Sequence, residues 1–259
     1  MTTIAKKPRQ SEETNKILFE KLDKLSNLEW AKWGGWFDSD GSFSFDKQKQ
    51  LRAALQLSDK SPVQMFADTF EINLLSSNRR TNYEKSTGTN SEKFSAYLTR
   101  ARAVYFCKKV HPYIINKNNH LNNVLAKANI KINDGYLTMS DEEFFVWLVS
   151  FMEGDGCFAI LRGKTPVCKI SSNNKHLLNY IKDRCTKLKL VNFTDVYLKQ
   201  KAGTTYMSST SNVLITRKDG YVLNVNKKSE VKPFYEKILP YMTLDKKKQK
   251  VIESLSILK

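Results

Sequence analysis

The sequence is poor in residues that build zinc clusters, cross-links or membrane spans. Its 259 residues include only 4 cysteines and 3 histidines. No Cys-x-x-Cys spacing occurs, which argues against a zinc ribbon and a disulfide-linked scaffold, and so few histidines disfavour a histidine-ligated metal site. No run of about 18 apolar residues predicts a transmembrane helix, and the first ten residues lack the apolar stretch of a secretory signal. The expected class is an intracellular, folded chain.

Positive charge is what the sequence has in excess. It contains 43 Lys and Arg against 26 Asp and Glu, a formal net charge of +17 at pH 7. Such an excess causes self-repulsion in the compact state, and a polyanionic partner offsets it. Nucleic acid is the favoured partner. A membrane surface is disfavoured because the basic residues follow strand patterns more than one amphipathic helix.

Two segments of similar pattern occur along the chain, one in each half. The first copy, SNLEWAKWGGWFDSDGSFSF, begins at Ser26, and the second, SDEEFFVWLVSFMEGDGCFAI, begins at Ser140. Each copy opens with a capping box, continues as an apolar or aromatic helix and ends at an acidic-x-Asp-Gly turn. The alternation of apolar and small residues that follows predicts a strand with one buried face.

The similarity between the two halves continues downstream of this segment. Each half is predicted to add a strand, a helix, a second pair of strands, a Pro-Tyr pair and a closing helix. In the second half, residues 213–225 are predicted to form a hairpin, and extra loop is expected near 201–210. We therefore expect an α+β fold of two pseudo-symmetric α-β-β-α-β-β-α repeats, each with an antiparallel sheet. The predicted boundaries are a mobile, basic tail (1–16), a first repeat (17–129), a linker (130–139) and a second repeat (140–259).

The two acidic turns are the candidate reactive positions. Gly34 and Gly35 lie within the first apolar helix, and close helix–helix contact is the expected compensation for their low helix propensity. Such packing would bring Asp40 and Asp155 together. Two carboxylates at negative helix ends repel each other unless cations lie between them. Hard oxygen ligands facing phosphate favour Mg²⁺ and a metal-assisted displacement at phosphorus.

Simpler explanations exist for these acidic residues. An Asp-Gly pair after a helix is often only a turn with a capping or solvated Asp, but its recurrence in two matched settings favours the metal site. Asp38 and Glu153, two positions before each Asp, fit structural hydrogen bonds as well as metal contact. We leave them out of the predicted ligand set.

The double motif resembles that of the LAGLIDADG homing endonucleases in their single-chain, two-repeat form. The matching segments are WGGWFDSDG at 33–41 and LVSFMEGDG at 148–156. The first copy has Trp at positions where the motif has Leu. The second has Ser150 for the packing glycine and Glu153 for the first Asp. Both keep the final Asp-Gly, and the likeness extends from about residue 26 to residue 255.

The resemblance implies a fold and an activity. The motif helices would form the interface between the halves, and each curved sheet would enter the major groove of double-stranded DNA. Asp40 and Asp155 would bind Mg²⁺ with help from the backbone carbonyls of Ser39 and Gly154, and Ca²⁺ would substitute without activity. A monomer would then cut both strands of a long site, leaving short 3′ overhangs.

The resemblance also implies a catalytic basic residue five positions after each proline of the Pro-Tyr pairs, which would supply positive charge or help to orient water near the scissile phosphates. In the first half this count gives Lys117. In the second half it gives Asp245, followed directly by the lysine run 246–248. A shift of one residue assigns the role to Lys246, although an exposed helix start also explains such a lysine run.

Strand parity predicts which side chains read DNA. If Phe43 and Phe45 face the core, the residues between and after them face the groove. The excess of positive charge implies several phosphate contacts, so DNA binding should weaken steeply with salt. The candidate DNA-binding residues are Ser44, Asp46, Gln48, Arg52, Gln56, Arg79, Arg80 and Arg100 in the first half, and Lys164, Lys169, Lys199, Lys201 and Arg217 in the second.

Three functions fit these features. The leading hypothesis is a site-specific, Mg²⁺-dependent DNA endonuclease. The alternative is an intron maturase that binds RNA to assist splicing, with or without nuclease activity. A DNA-binding regulator without catalysis is disfavoured, since acidic residues retained without metal would weaken binding. The composition, rich in Lys and Asn, suits an AT-rich genome such as that of a mitochondrion or chloroplast, and the family resemblance implies an intron-encoded protein.

Overall fold

The computed structural model describes residues 11–77, 92–131, 139–203, 205–207, 214–216 and 218–258. The chain divides into two compact units, and the boundary on the main chain falls between Ser150 and Phe151. Most of the predicted linker and three candidate DNA-binding residues, Arg79, Arg80 and Arg217, lie outside the described residues. None of the described helices has the length and apolar character that crossing a bilayer requires.

Unit 1 combines one four-stranded antiparallel sheet with helices. Its helices are α1 (Glu12–Leu22), α2 (Asn27–Ser39), α3 (Lys60–Thr69), α4 (Arg100–Val110) and α5 (Asn118–Lys127), and α6 (Asp141–Asp155) continues into unit 2. Its strands are β1 (Gly41–Phe45), β2 (Leu51–Leu57), β3 (Leu75–Ser77) and β4 (Lys93–Thr99), in the order β1-β2-β4-β3.

The core of unit 1 lies between one face of the sheet and the aromatic side of the helices. Phe43 of β1 and Leu55 of β2 are buried, as strand alternation predicts. Against them pack three aromatic rings, with the Phe37 centroid 4.5 Å from that of Phe106 and 5.3 Å from that of Phe66. This packing fixes α2, and with it the motif, against the sheet.

Helix α1 precedes the first motif helix and begins within the predicted tail. It starts at Glu12, inside the segment 1–16 that was predicted to be a mobile, basic tail. The side chains of Ser11 and Thr14 cap its first turn reciprocally. Phe19 stacks on Tyr105 of α4 with 4.3 Å between ring centroids. The tail prediction is therefore wrong from residue 12 onward, because local capping and one aromatic contact anchor a sequence of mostly polar composition.

Unit 2 repeats the arrangement. Its helices are the end of α6, α7 (Lys175–Lys187), α8 (Lys228–Ile238) and α9 (Asp245–Ile257). Its antiparallel sheet contains β5 (Gly156–Leu161), β6 (Thr165–Ser172), β7 (Tyr197–Gln200) and β10 (Gly220–Val225), in the order β5-β6-β10-β7. The strands β8 (Thr205–Met207) and β9 (Leu214–Thr216) form a separate antiparallel pair.

The hairpin predicted over residues 213–225 is not formed. Strand β9 pairs with β8, whereas β10 pairs with β6 and β7. The hairpin was predicted to turn at Lys218-Asp219-Gly220, but the Asp219 carboxylate instead accepts a hydrogen bond from the Ala202 amide. Likewise, the Gln200 side chain donates to the Lys218 carbonyl. These contacts join the ends of β7 and β10, so the β8–β9 pair is an insertion between them, where the extra length was expected.

The α+β fold of two similar repeats is confirmed. Each repeat has a helix that was not predicted between the second strand pair and the Pro-Tyr pair, α4 in the first and α8 in the second, and the first repeat also has α1 before its motif helix. The Pro-Tyr pairs themselves form short 3₁₀ turns at His111–Tyr113 and Leu239–Tyr241. Helices α5 and α9 follow these turns and lead back to the motif.

Candidate metal site and nucleic-acid interface

Each motif helix ends in a tight helix-to-strand turn with an exposed aspartate. Asp40 is the C-cap of α2, and Asp155 is the last residue of α6; both are exposed. A Cβ atom at Gly41 would lie 2.5 Å from the Cα of Phe37, and one at Gly156 would lie 2.5 Å from the Met152 carbonyl oxygen. Neither position has room for a side chain, which explains the glycine after each Asp.

The first acid of the motif in unit 1 is structural. Asp38 is fully buried, and its carboxylate accepts hydrogen bonds from the amides of Ile115 (2.6 Å), Asn116 (2.9 Å) and Lys117 (2.8 Å). Burial raises the pKa of Asp38 to about 6, while the three amides favour the ionised form. Of the two alternatives for this residue, the structure shows hydrogen bonding: Asp38 anchors the segment that leads into α5.

Glu153, with a longer side chain, anchors the segment that leads into α9 in unit 2. It is fully buried and accepts hydrogen bonds from the Thr243 amide (2.5 Å), the Thr243 hydroxyl (2.9 Å) and the Leu244 amide (2.5 Å). In both units, therefore, a buried acid in the motif helix holds the start of the last helix.

Lys117 binds the end of the motif helix. Its Nζ atom donates to the carbonyl oxygens of Phe37 (3.0 Å), Ser39 (2.6 Å) and Gly41 (2.7 Å). Carbonyls in the last turn of a helix lack intrahelical partners and carry the negative end of the helix dipole. The ammonium group therefore satisfies backbone acceptors on both sides of Asp40.

Lys247 holds the equivalent position in unit 2. Its Nζ atom donates to the carbonyl oxygens of Met152 (3.3 Å), Gly154 (2.5 Å) and Gly156 (2.7 Å). Counting from the proline gave Lys246, which is exposed one residue earlier, whereas the residue whose contacts match those of Lys117 is Lys247. The count failed because Lys117 is the N-cap residue of α5, whereas its counterpart lies within the first turn of α9.

The oxygen atoms at each helix end suit a hard divalent cation. The carbonyls of Ser39 and Gly154, predicted as metal ligands, are among those that the lysines contact. A carbonyl oxygen has two lone pairs, so such a contact leaves one for a metal. With the neighbouring Asp carboxylates, these are the oxygen donors that Mg²⁺ and Ca²⁺ prefer. Within the described ranges, no group of three or more His, Cys, Asp or Glu side chains forms a separate metal cluster.

Gly34 has a close contact within unit 1. A Cβ atom there would lie 2.3 Å from the Cβ of Tyr113 and 2.8 Å from its carbonyl oxygen. The close contact that requires this glycine is therefore with the Pro-Tyr turn of unit 1. That turn leads directly to Lys117, so the glycine brings the lysine-bearing segment against the motif helix.

The outer face of the unit 1 sheet carries several predicted DNA-binding residues. Arg52 of β2 lies between Ser44 and Thr99 in the strand register, and Gln56 is exposed on the same face. The Arg52 guanidinium lies 3.8 Å from the centroid of the Tyr97 ring. Sequence reasoning missed Tyr97, although its position between the buried Ala96 and Leu98 of β4 would have placed it outward.

Other candidates in unit 1 have local contacts. The Asp46 carboxylate accepts hydrogen bonds from the amides of Gln48 (2.8 Å) and Gln50 (2.9 Å) and so closes the β1–β2 turn. Arg100 donates from Nε to the Gln50 side chain (2.7 Å). These residues lie at one end of the sheet, where Gln48 is exposed.

The candidates of unit 2 lie on and around its sheet. Lys169 of β6 pairs with Cys157 and with Asn224, and both it and Asn224 are half-buried. The other candidates that the structure describes in this unit are exposed: Lys164 follows β5, and Lys199 and Lys201 lie at the end of β7. Compared with unit 1, this face has an apolar residue, Val167, at the register position of Arg52.

Comparison with known proteins gives matches among solved structures only. No family model and no curated protein matches the sequence. The chain is similar to the homing endonuclease I-WcaI bound to its DNA recognition sequence, with a TM-score of 0.53, 10% identity and 94% of each chain covered. It is also similar to the I-LtrWI LAGLIDADG homing endonuclease bound to target DNA (TM-score 0.50, 14% identity, 90% of this chain and 92% of that chain). The LAGLIDADG meganuclease I-AabMI bound to uncleaved DNA matches with a TM-score of 0.50 and 13% identity, over 90% of this chain and 91% of that chain.

Proposed function

Since this chain has the LAGLIDADG homing endonuclease fold, we propose that it is a site-specific, metal-dependent DNA endonuclease. One observation carries the proposal: both units build the same helix end, with an exposed Asp, a buried acid and a lysine on three carbonyls. Two equivalent sites suit the hydrolysis of one phosphodiester in each strand. We infer double-strand breaks with short 3′ overhangs, made by a monomer.

The proposed roles follow from the donor sets. Asp40 with the Ser39 carbonyl, and Asp155 with the Gly154 carbonyl, would hold Mg²⁺, and Ca²⁺ is expected to bind there without supporting cleavage. When bound, a divalent metal supplies Lewis-acid stabilisation of the phosphate and a more acidic water. The protein's own part is to present each carboxylate at a rigid, exposed helix end, next to fixed positive charge.

Double-stranded DNA is the proposed substrate. The net charge of +17 favours a polyanion, and the proteins similar in fold are homing endonucleases seen with DNA. On the unit 1 sheet, Arg52 and Gln56 offer donors of the kind that read base edges in the major groove. We expect binding to weaken steeply between about 50 and 200 mM salt, as several phosphate contacts require.

The test is cleavage of a randomised target-site library with Mg²⁺, followed by mapping of the cut ends. Asp40→Asn and Asp155→Asn are each expected to abolish double-strand cleavage, because an amide is a poor metal ligand, while DNA binding is retained. Asp183→Asn, an exposed Asp on α7, is the matched control and is expected to cleave like the wild type.

Two results would oppose the proposal. Full cleavage by the Asp40→Asn variant would show that this carboxylate holds no essential metal. The maturase alternative would be supported instead if the wild type cleaved no DNA and the variant carrying both Asp40→Asn and Asp155→Asn promoted folding of an intron RNA.

A further inference from the structure

The two lysines make the same set of contacts around each candidate metal-binding aspartate. Counted from Asp40, the carbonyls bound by Lys117 lie three residues before, one before and one after. Counted from Asp155, those bound by Lys247 lie at the same three offsets. The offsets are identical in the two units, although the lysines lie at different helix positions. This agreement indicates that each lysine has a specific geometric function.

The ammonium group is well suited to that task. It has three donors arranged around a single point, and three carbonyl oxygens lie within 3.0 Å of Nζ in unit 1 and within 3.3 Å in unit 2. These carbonyls belong to peptide groups on both sides of each Asp. Fixing them fixes the backbone that carries the carboxylate, and it also sets the direction of the ligand carbonyl at Ser39 or Gly154.

On the premise of the proposed function, we propose that Lys117 and Lys247 are positioning residues. Each acts as an internal cation that holds the metal-binding Asp and the carbonyl before it in register, and it exchanges no proton with water or DNA. The cation also offsets the negative end of the helix dipole, which would otherwise add to the charge of the aspartate.

A chemical role for the lysines makes different demands. A general acid or base must reach the group with which it exchanges a proton, whereas these ammonium groups point at backbone carbonyls. A role of charge alone would be met equally well by arginine. A positioning role would not, because the planar guanidinium cannot place three donors around one point as an ammonium does.

The first experiment uses the full chain without metal or DNA. Hydrogen exchange is followed at the helix ends, for example at the Asp40 amide, which donates to the Trp36 carbonyl (3.0 Å). Lys117→Met and Lys247→Met are each expected to speed exchange about tenfold or more in their own unit, because the last turn loses its clamp. Lys246→Met, the exposed neighbour on α9, is the matched control and should leave exchange unchanged.

The second experiment separates positioning from chemistry through the metal. In Lys117→Arg and Lys247→Arg the charge is kept, so weaker metal binding reports lost geometry. We expect the half-saturating Mg²⁺ concentration for cleavage, and the Kd for Ca²⁺ in the DNA complex measured by calorimetry, to rise about 10- to 100-fold. The plateau rate should recover at high Mg²⁺ with an unchanged pH profile. Loss of fold alone would reduce the active fraction without moving either metal constant.

Several outcomes would overturn the inference. Arg variants that bind metal and cleave like the wild type would show that charge suffices. A lower plateau rate with unchanged metal constants, or a shifted pH profile, would assign the lysines to the chemical step. Should a Met variant not fold, exchange is compared in the Arg variant instead. If the wild type cuts no DNA, the proposed function fails, while exchange and Ca²⁺ binding still decide whether the lysines position the helix ends.

Discussion

Gly34→Ala tests the packing between the motif helix and the Pro-Tyr turn, and helix propensity and structure predict opposite signs for it. Alanine is favoured over glycine inside a helix by about 1 kcal/mol. In the structure, however, the added methyl group would lie 2.3 Å from the Cβ of Tyr113 and 2.8 Å from its carbonyl oxygen. Since one of these atoms belongs to the backbone, rotation of a side chain cannot relieve the overlap.

The magnitude follows from these two effects. Overpacking by one carbon in a tight core costs about 1–3 kcal/mol, and a contact with backbone belongs at the upper end, near 3 kcal/mol. Subtracting the gain of about 1 kcal/mol from helix propensity leaves a net loss of about 2 kcal/mol in the free energy of unfolding. The displaced turn leads to Lys117, so cleavage is expected to fall as well.

Urea denaturation followed by tryptophan fluorescence measures this change, with the wild type and Gly34→Ser as comparisons. The larger serine side chain should destabilise unit 1 at least as much as alanine. An increase in the free energy of unfolding of about 1 kcal/mol in Gly34→Ala, as propensity alone predicts, would refute the close contact with Tyr113.

Two further predictions concern other parts of the structure. The buried Arg102 donates to the Phe70 carbonyl (2.9 Å) at the end of α3, so Arg102→Ala should lower the free energy of unfolding by about 1–3 kcal/mol. Lys108 is exposed on α4, the helix that carries Arg102, so Lys108→Ala should change the free energy of unfolding little in the same urea experiment. Arg52→Ala should weaken target binding by about 1–3 kcal/mol and relax the preference at one base pair, and Tyr97→Leu should reproduce part of this loss. The measurement is competition binding with single-base variants of the target. If the Arg52→Ala variant discriminated every base as the wild type does, Arg52 would not read a base.

Features determined by neighbouring residues were predictable from the sequence. The capping boxes at Ser26 and Ser140 form as predicted, each with the Glu three residues on. The strand after each Asp-Gly turn alternates as predicted, with Phe43 and Phe158 buried. These features depend on local hydrogen bonding and on the two-residue period of a strand, which sequence order alone specifies.

Features that depend on distant residues were not predictable in the same way. Tyr113 lies far along the chain from Gly34, and no local pattern reveals that the two backbones touch. The position of Lys247 depends on where α9 begins relative to the buried Glu153, and counting residues from a proline does not supply that. The three-carbonyl contacts of each lysine are set by tertiary structure alone.

The different buried acids, Asp38 in one repeat and Glu153 in the other, limit how the halves can be exchanged. The shorter acid is matched to three successive amides at 115–117, and the longer one to two amides and a hydroxyl at 243–244. A chimera that grafts only the motif helix, or only the loop, would place the carboxylate at the wrong distance from its hydrogen-bond donors. It would also misplace the lysine that follows those donors. Exchanging the motif helix between the halves therefore requires that the loop bound by its buried acid be exchanged with it.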